Sequence, residues 1–191
     1  MYRSRWVTTF IDQLMDGAEE TPTLEFKGAM VWNAGSIAKD ILAMANEQDG
    51  GRIVFGIEDQ TLQRTGLTEQ QLSTYIPDEM KDQMARYADP YVRFSVSVQS
   101  DAEGKKYVVL DVSSFDEFPV ICCRDGPDVQ RGTIYSRSKT ERPRSVRVSN
   151  SSDMRDLIEI AVARRMQRLR KLGFDVVDAV EGRLDSELGG L

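Results

Sequence analysis

Ile53-Val-Phe-Gly-Ile57 is an uninterrupted apolar run, the pattern of a strand in the middle of a sheet rather than at its edge. The residues before it supply a covering layer. Ala34–Asn46 places Ile37, Ile41, Leu42, Met44 and Ala45 at helical spacing, with Ser36 as the candidate N-cap. The loop from Glu47 to Arg52 carries Gly50-Gly51, a tight turn that needs positive φ. Asn46 is read as bonding backbone at the helix end. A buried helix, a glycine turn and a central strand in succession form the nucleus of a mixed domain.

The other segments extend that nucleus. Residues 5–15 carry Trp6, Phe10, Ile11 and Leu14 at helical spacing, and Gly17 ends the helix. Leu24–Lys27 reads as a short strand. Thr68–Ala88 reads as helical with a Thr68 cap and a break at Pro77. Tyr91–Gln99 and Lys106–Val112 alternate as strands, joined by a turn at Asp101-Ala-Glu-Gly104. Val120–Cys123 and Thr133–Ser136 are further short strands. Ser151–Leu172 is a long helix, and Phe174–Leu188 is expected to be a last amphipathic one. The order predicts an α+β fold with a mixed, mostly antiparallel sheet flanked by helices. We divide the chain into a domain over residues 1–148 and a C-terminal helical extension over 149–191.

Composition narrows the chemistry. The chain has no histidine, which removes histidine general bases, Ser-His-Asp and Cys-His nucleophiles, and nearly every catalytic zinc site. Its two cysteines, Cys122 and Cys123, are adjacent and read as small residues in or near a buried strand. No segment has the roughly 20 apolar residues of a membrane helix, and the expectation is a cytoplasmic protein. Charge is segregated. Residues 1–120 carry 11 Lys/Arg against 20 Asp/Glu, whereas residues 121–172 carry 13 against 6. A basic segment inside a chain of net charge −6 is a phosphate footprint or a solvated helix face.

Two stretches hold groups suited to catalysis. In a strand over Leu24–Lys27, Glu25 and Lys27 project to one face, and Asp59 follows the apolar strand. Several acids and a lysine near one sheet end can hold Mg²⁺ or Mn²⁺, activate water and stabilise phosphate charge. On spacing alone, the plainer reading of Glu-x-Lys is an ion pair on the strand surface.

Leu24-Glu-Phe-Lys27, the helix ending Ala43-Met-Ala-Asn46, and Gly50-Gly-Arg-Ile-Val-Phe-Gly-Ile-Glu-Asp59 together resemble the Schlafen/AlbA-like family. Its usual pattern is Glu-[Tyr/Phe]-Lys, then Ala-Phe-Ala-Asn-Thr-x-Gly-Gly, then a hydrophobic strand ending Gly-Val-x-Asp. Thr65-Gly66, Pro119-Val120 and Gly132–Thr140 continue the likeness, which spans about residues 19–145. The resemblance implies a nucleic-acid-binding or nucleic-acid-processing domain. In the Schlafen branch it implies a metal-dependent nuclease on RNA or single-stranded DNA. Glu20, Glu25, Lys39 and Asp59 then stand at the catalytic positions, with Glu20, Glu25 and Asp59 as ligands of Mg²⁺ or Mn²⁺. Glu58 is the alternative to Asp59.

Two departures from the pattern stand out. Glu47-Gln48 replaces the usual Thr, and Ser136-Arg-Ser-Lys-Thr140 lacks the usual glycine. Phosphate contacts then fall to the side chains of Lys27, Arg131, Arg137, Lys139, Arg142, Arg144 and Arg147. The resemblance also implies a homodimer, formed through the Ser151–Leu172 helix, and a separate effector or sensor chain is expected as a further partner. RNA is slightly preferred over DNA. The alternative is a non-catalytic binding or regulatory module in which Glu20, Glu25 and Asp59 are ion-pair partners of Lys27 and Lys39. For Trp6, Trp32, Tyr87 and Tyr135, packing is preferred to base stacking.

Overall fold

A computed structural model describes residues 9–16, 19–139 and 143–174. Trp6, Gly17, Arg142 and all but the first residue of the expected last helix lie outside the described residues. Four strands form the main sheet, in the order β1 (Leu24–Lys27), β2 (Gly51–Phe55), β5 (Lys106–Val112), β4 (Phe94–Ser100). β1 runs parallel to β2, and the other two pairings are antiparallel. The mixed, mostly antiparallel α+β architecture is therefore the one the sequence predicts. Two small ribbons complete it: β3 (Ala88–Asp89) with β6 (Ile121–Cys122), and β7 (Tyr135–Arg137) with β8 (Ser145–Arg147).

Side-chain alternation along β2 assigns the layers. Ile53 and Phe55 join a core with α2 (Ala34–Ala45), α4 (Pro77–Met84), Tyr135 and Leu157. Val54 faces the other way, into a smaller cluster with Phe26, Tyr107, Val109 and Ile11 of α1 (Phe10–Met15). Both faces of the strand are thus buried, as its apolar run demands. Gly56 has φ +101° and sits against Leu67 and Tyr107. It breaks the alternation, so that Ile57 joins the cluster of Val54 rather than that of Phe55.

The N-cap of α2 is Asn33, whose side chain accepts from the Ser36 amide, and not Ser36 as expected. Placing the cap one turn earlier lets Ala34 begin the helix. Thr68 caps α3 (Glu69–Leu72) with a full capping box, and α4 begins at Pro77. The cysteines divide: Cys122 is buried and Cys123 exposed. Asn46 reaches further than the helix end. Its amide donates to the carbonyls of Val120 and Tyr135, and its oxygen accepts from the Val120 amide. One buried side chain thereby joins α2 to two distant segments. The long helix α5 (Ser151–Lys171) is capped by Asn150 and buries only Leu157. Among the described residues, no helix is long and apolar enough to cross a membrane.

Candidate functional site

β1 is four residues long, and its pairing with β2 sets which way its side chains go. Glu25 lies opposite Ile53 and Lys27 opposite Phe55, so both acid and amine face α2, the side of the larger core. There they meet Asp40, on the buried face of that helix, and Arg137 at the end of β7. Lys27 Nζ lies 2.6 Å from Glu25 Oε1 and 3.0 Å from Asp40 Oδ2. Arg137 Nη2 lies 2.5 Å from Glu25 Oε2, and its side chain is 0% exposed. Ser145 Oγ donates to Asp40 Oδ1 at 2.6 Å and accepts from Arg137 Nη1 at 3.0 Å. Two carboxylates, two cations and a hydroxyl thus close a charge-balanced network inside the protein, joining β1, α2, β7 and β8.

Such charges tolerate burial because each finds an opposite partner. Burial alone would lower the Lys27 pKa, but Asp40 and Glu25 more than offset this and hold the ammonium well above its usual value. Arg137 Nε, buried, makes no hydrogen bond. The Arg137 backbone amide donates to Glu47 Oε1 at 2.8 Å, and burial pushes the Glu47 carboxyl up from its ordinary pKa.

Glu20 stands beside this network. Its Oε1 accepts from the Phe26 amide at 3.0 Å. Burial raises its pKa, that hydrogen bond opposes the rise, and repulsion from Glu25 and Asp59 adds to it. Glu25 and Asp59 thus each lie within electrostatic reach of Glu20. It also separates the two adjacent acids. The Glu58 carboxylate lies against Gly28, while Asp59, exposed, is the acid that acts on Glu20.

The implied Mg²⁺ or Mn²⁺ can be tested against this geometry. Carboxylate oxygens are the right donors. Both oxygens of Glu25, however, already face cations, at 2.6 Å and 2.5 Å. Among the described residues, no group of three or more acids or thiols converges on a point where a metal ion would sit. A divalent ion at Glu25 would have to displace Lys27 or Arg137 from that carboxylate.

The expected cations divide into inner and outer sets. Lys27 and Arg137 belong to the buried network, so Arg137 faces inward rather than toward a phosphate. Lys39, half-buried, adjoins Asp40 on α2 but points about 100° away around the helix. Lys139 is exposed and pairs with Asp156 of α5. Arg131, Arg144 and Arg147 are exposed and make no ion pair among the described residues. Tyr135 is fully buried, as packing predicts.

The sequence reading missed Asp40 and Ser145. Asp40 carried a signal, since it lies three residues after Ile37 and four before Met44 on the helix's apolar stripe. A carboxylate there needs a buried partner. Ser145 carried none.

No curated protein matches the chain. A likeness to a solved structure, the DIP2311 protein of Corynebacterium diphtheriae, has 19% identity and a TM-score of 0.48, covering 68% of this chain. The match spans 26% of that chain, about a quarter of its length. The family described as Schlafen, AlbA_2 matches residues 20–144. That stretch contains β1 to β7, Glu25, Asp40 and Arg137, and the chain belongs to the Schlafen AlbA_2 family.

Proposed function

We propose that this protein binds nucleic acid through the exposed arginines on and beside its β7–β8 ribbon, and that its buried Glu25–Lys27–Asp40–Arg137 network is the scaffold for that ribbon. Family membership supports nucleic-acid binding. The observation that carries the placement is the set of exposed arginines, Arg131, Arg144 and Arg147, without ion-pair partners among the described residues of an acidic chain. Cations already paired with carboxylates must be desolvated and released before they meet a phosphate, whereas these need not be. Arg137 and Ser145 anchor the ribbon from its inner side.

The test is fluorescence anisotropy with labelled single-stranded RNA, single-stranded DNA and duplex across a salt series. Binding should weaken steeply with salt, and replacing Arg144 and Arg147 by alanine should lower the salt slope by about one for each phosphate left without its arginine. An unchanged slope in the double variant sinks the placement. RNA is preferred slightly over DNA in this proposal.

A second reading, divalent-metal-dependent cleavage of RNA or single-stranded DNA, is favoured by one observation. Glu20 is raised partly by repulsion from Glu25 and Asp59, a concentration of negative charge that a cation would relieve. Incubating the same strands with Mn²⁺ or Mg²⁺ against EDTA decides it. Cutting lost in Glu20→Gln and Asp59→Asn supports the reading, and intact strands in every lane remove it.

A further inference from the structure

The two arms of the β3–β6 ribbon run on past their last paired residues. Ala88 faces Cys122 within the ribbon, and one step further the Cys123 amide donates to the Tyr87 carbonyl at 2.9 Å. The next step brings Arg86 on one arm and Arg124 on the other. Both are exposed, and both line a cavity of about 330 Å³ at the head of α2. Neither has an ion-pair partner among the described residues. Like charges brought together across a ribbon cost stability. The chain has 31 Asp and Glu against 25 Lys and Arg, yet none of the described residues lining this cavity is acidic.

The amides that line the cavity have the same polarity. Trp32 Nε1 donates to Gln83 Oε1 at 2.9 Å, and Asn33 Oδ1 accepts from the Ser36 amide at 3.2 Å. Each amide oxygen is thus engaged, and the NH₂ group is the part left to a guest. The Arg124 guanidinium lies over the Tyr87 ring, its central carbon 5.7 Å from the ring centre. That contact holds the arginine in place without neutralising it. Apart from the Tyr87 hydroxyl, the side chains offer donors alone, which suits an anion. The adjoining loop says which kind. The Arg131 amide donates to the carboxylate of Asp125, the residue after Arg124, at 2.9 Å. The loop between β6 and β7 therefore closes on itself and carries Arg131 beside the cavity. A lone carboxylate would use one of these sites, whereas a chain of regularly spaced phosphates uses both.

We propose that this cavity is a phosphate-binding site, in which Arg86 and Arg124 hold a phosphodiester of the same nucleic acid that Arg131, Arg144 and Arg147 contact. The inference rests on the nucleic-acid-binding reading above, and extends the contact surface from the β7–β8 ribbon to the head of α2. Gln83 and Asn33 add hydrogen-bond donors, and Tyr87 positions Arg124. The bound phosphate supplies the negative charge that the protein itself leaves out between the two arginines.

The experiment uses the full chain and a labelled RNA strand, with affinity followed by anisotropy across a salt series. Arg86→Gln and Arg124→Gln should each weaken binding roughly tenfold and lower the salt slope by about one. Arg86→Lys and Arg124→Lys, which keep the charge, should keep the slope. Without nucleic acid, the Arg86→Gln/Arg124→Gln double variant should melt no lower than wild type, because a repelling pair is gone. Affinity and slope unchanged in that double variant, while Arg144→Ala/Arg147→Ala still lowers the slope, overturn the site alone. Two competitors test the occupant. Inorganic phosphate that stabilises wild type but not the double variant, with strand binding equal in both, assigns the site to a free phosphate and overturns the strand contact. Polyglutamate competing as well as unlabelled RNA assigns it to acidic peptides and overturns it likewise. Failure of wild type to bind any strand at low salt overturns the site and the nucleic-acid reading together.

Discussion

Glu25, Lys27, Asp40 and Arg137 form one charged network, and Glu117, Arg165 and Arg168 form another, from the same kinds of side chain. In the first, Arg137 is 0% exposed and every partner belongs to a strand or helix packed in the body. In the second, the arginines are more than half exposed and sit on α5, which buries a single apolar residue. Water does opposite things to the two. In the interior, removing one charge strands its partners in a medium that cannot solvate them. At the surface, water and salt replace a lost partner with little penalty. The inner network therefore fixes the arrangement of β1, α2, β7 and β8, whereas the outer one holds α5 in an adjustable way and leaves its arginines able to exchange partners.

The largest expected effect tests the interior. Arg137→Met leaves Glu25 and Asp40 sharing one cation, and should reduce unfolding free energy in urea by about 3–5 kcal/mol. Adding Glu25→Gln should recover part of that loss, because the stranded charge is then gone. A loss near zero for Arg137→Met would mean the interior network behaves like the surface one. Asp40→Asn comes next. Its oxygen still accepts from Ser145, but Lys27 and Arg137 lose a charge, so a smaller loss of about 1–3 kcal/mol is expected in the same assay.

Glu117→Ala should change stability by less than about 1 kcal/mol. In wild type, raising salt to about 1 M, where the Debye length is about 3 Å, should increase amide exchange in α5 before it affects α2. Simultaneous loosening of both helices would erase the contrast.

The smallest effect depends on pH. Glu20 has a folded pKa raised above 4.5, so the folded state binds its proton more tightly than the unfolded chain. Its contribution to stability falls as pH rises from below 4.5 through the raised value. Glu20→Gln keeps the oxygen that accepts from Phe26 and removes the charge. It should melt slightly higher than wild type well above pH 4.5, with the difference vanishing below it. A difference independent of pH would assign the effect to packing.

Much of the fold was legible because the controlling signals were local. The Ile53–Ile57 run, the stripe of α2, the Thr68 cap and the alternation of Lys106–Val112 each specify an element without reference to distant residues. The same alternation correctly placed Glu25 and Lys27 on one face. What stayed illegible was long-range. Arg137 is one of several cations between Arg131 and Arg147, and nothing in its neighbours distinguishes the one that turns inward. Only the pairing of β7 with β8, and the docking of both on α2, makes that choice. The choice between Glu58 and Asp59 stayed open in the sequence for a related reason: Gly56, at φ +101°, interrupts the alternation that would have decided it.

The inner network also has a consequence for the order in which the protein is made. Glu25 and Asp40 belong to the early part of the chain, and Arg137 and Ser145 arrive roughly a hundred residues later. During synthesis, the four strands of the main sheet can all have left the ribosome while the pocket for the guanidinium is still empty. Lys27 alone then faces two carboxylates. The nascent sheet is complete in hydrogen bonds but uncompensated in charge, and the arrival of β7 and β8 seals it. Pairings of such wide sequence separation close late. Chains stalled between those points should therefore be more readily digested by protease than finished ones, even though no strand of the main sheet is missing.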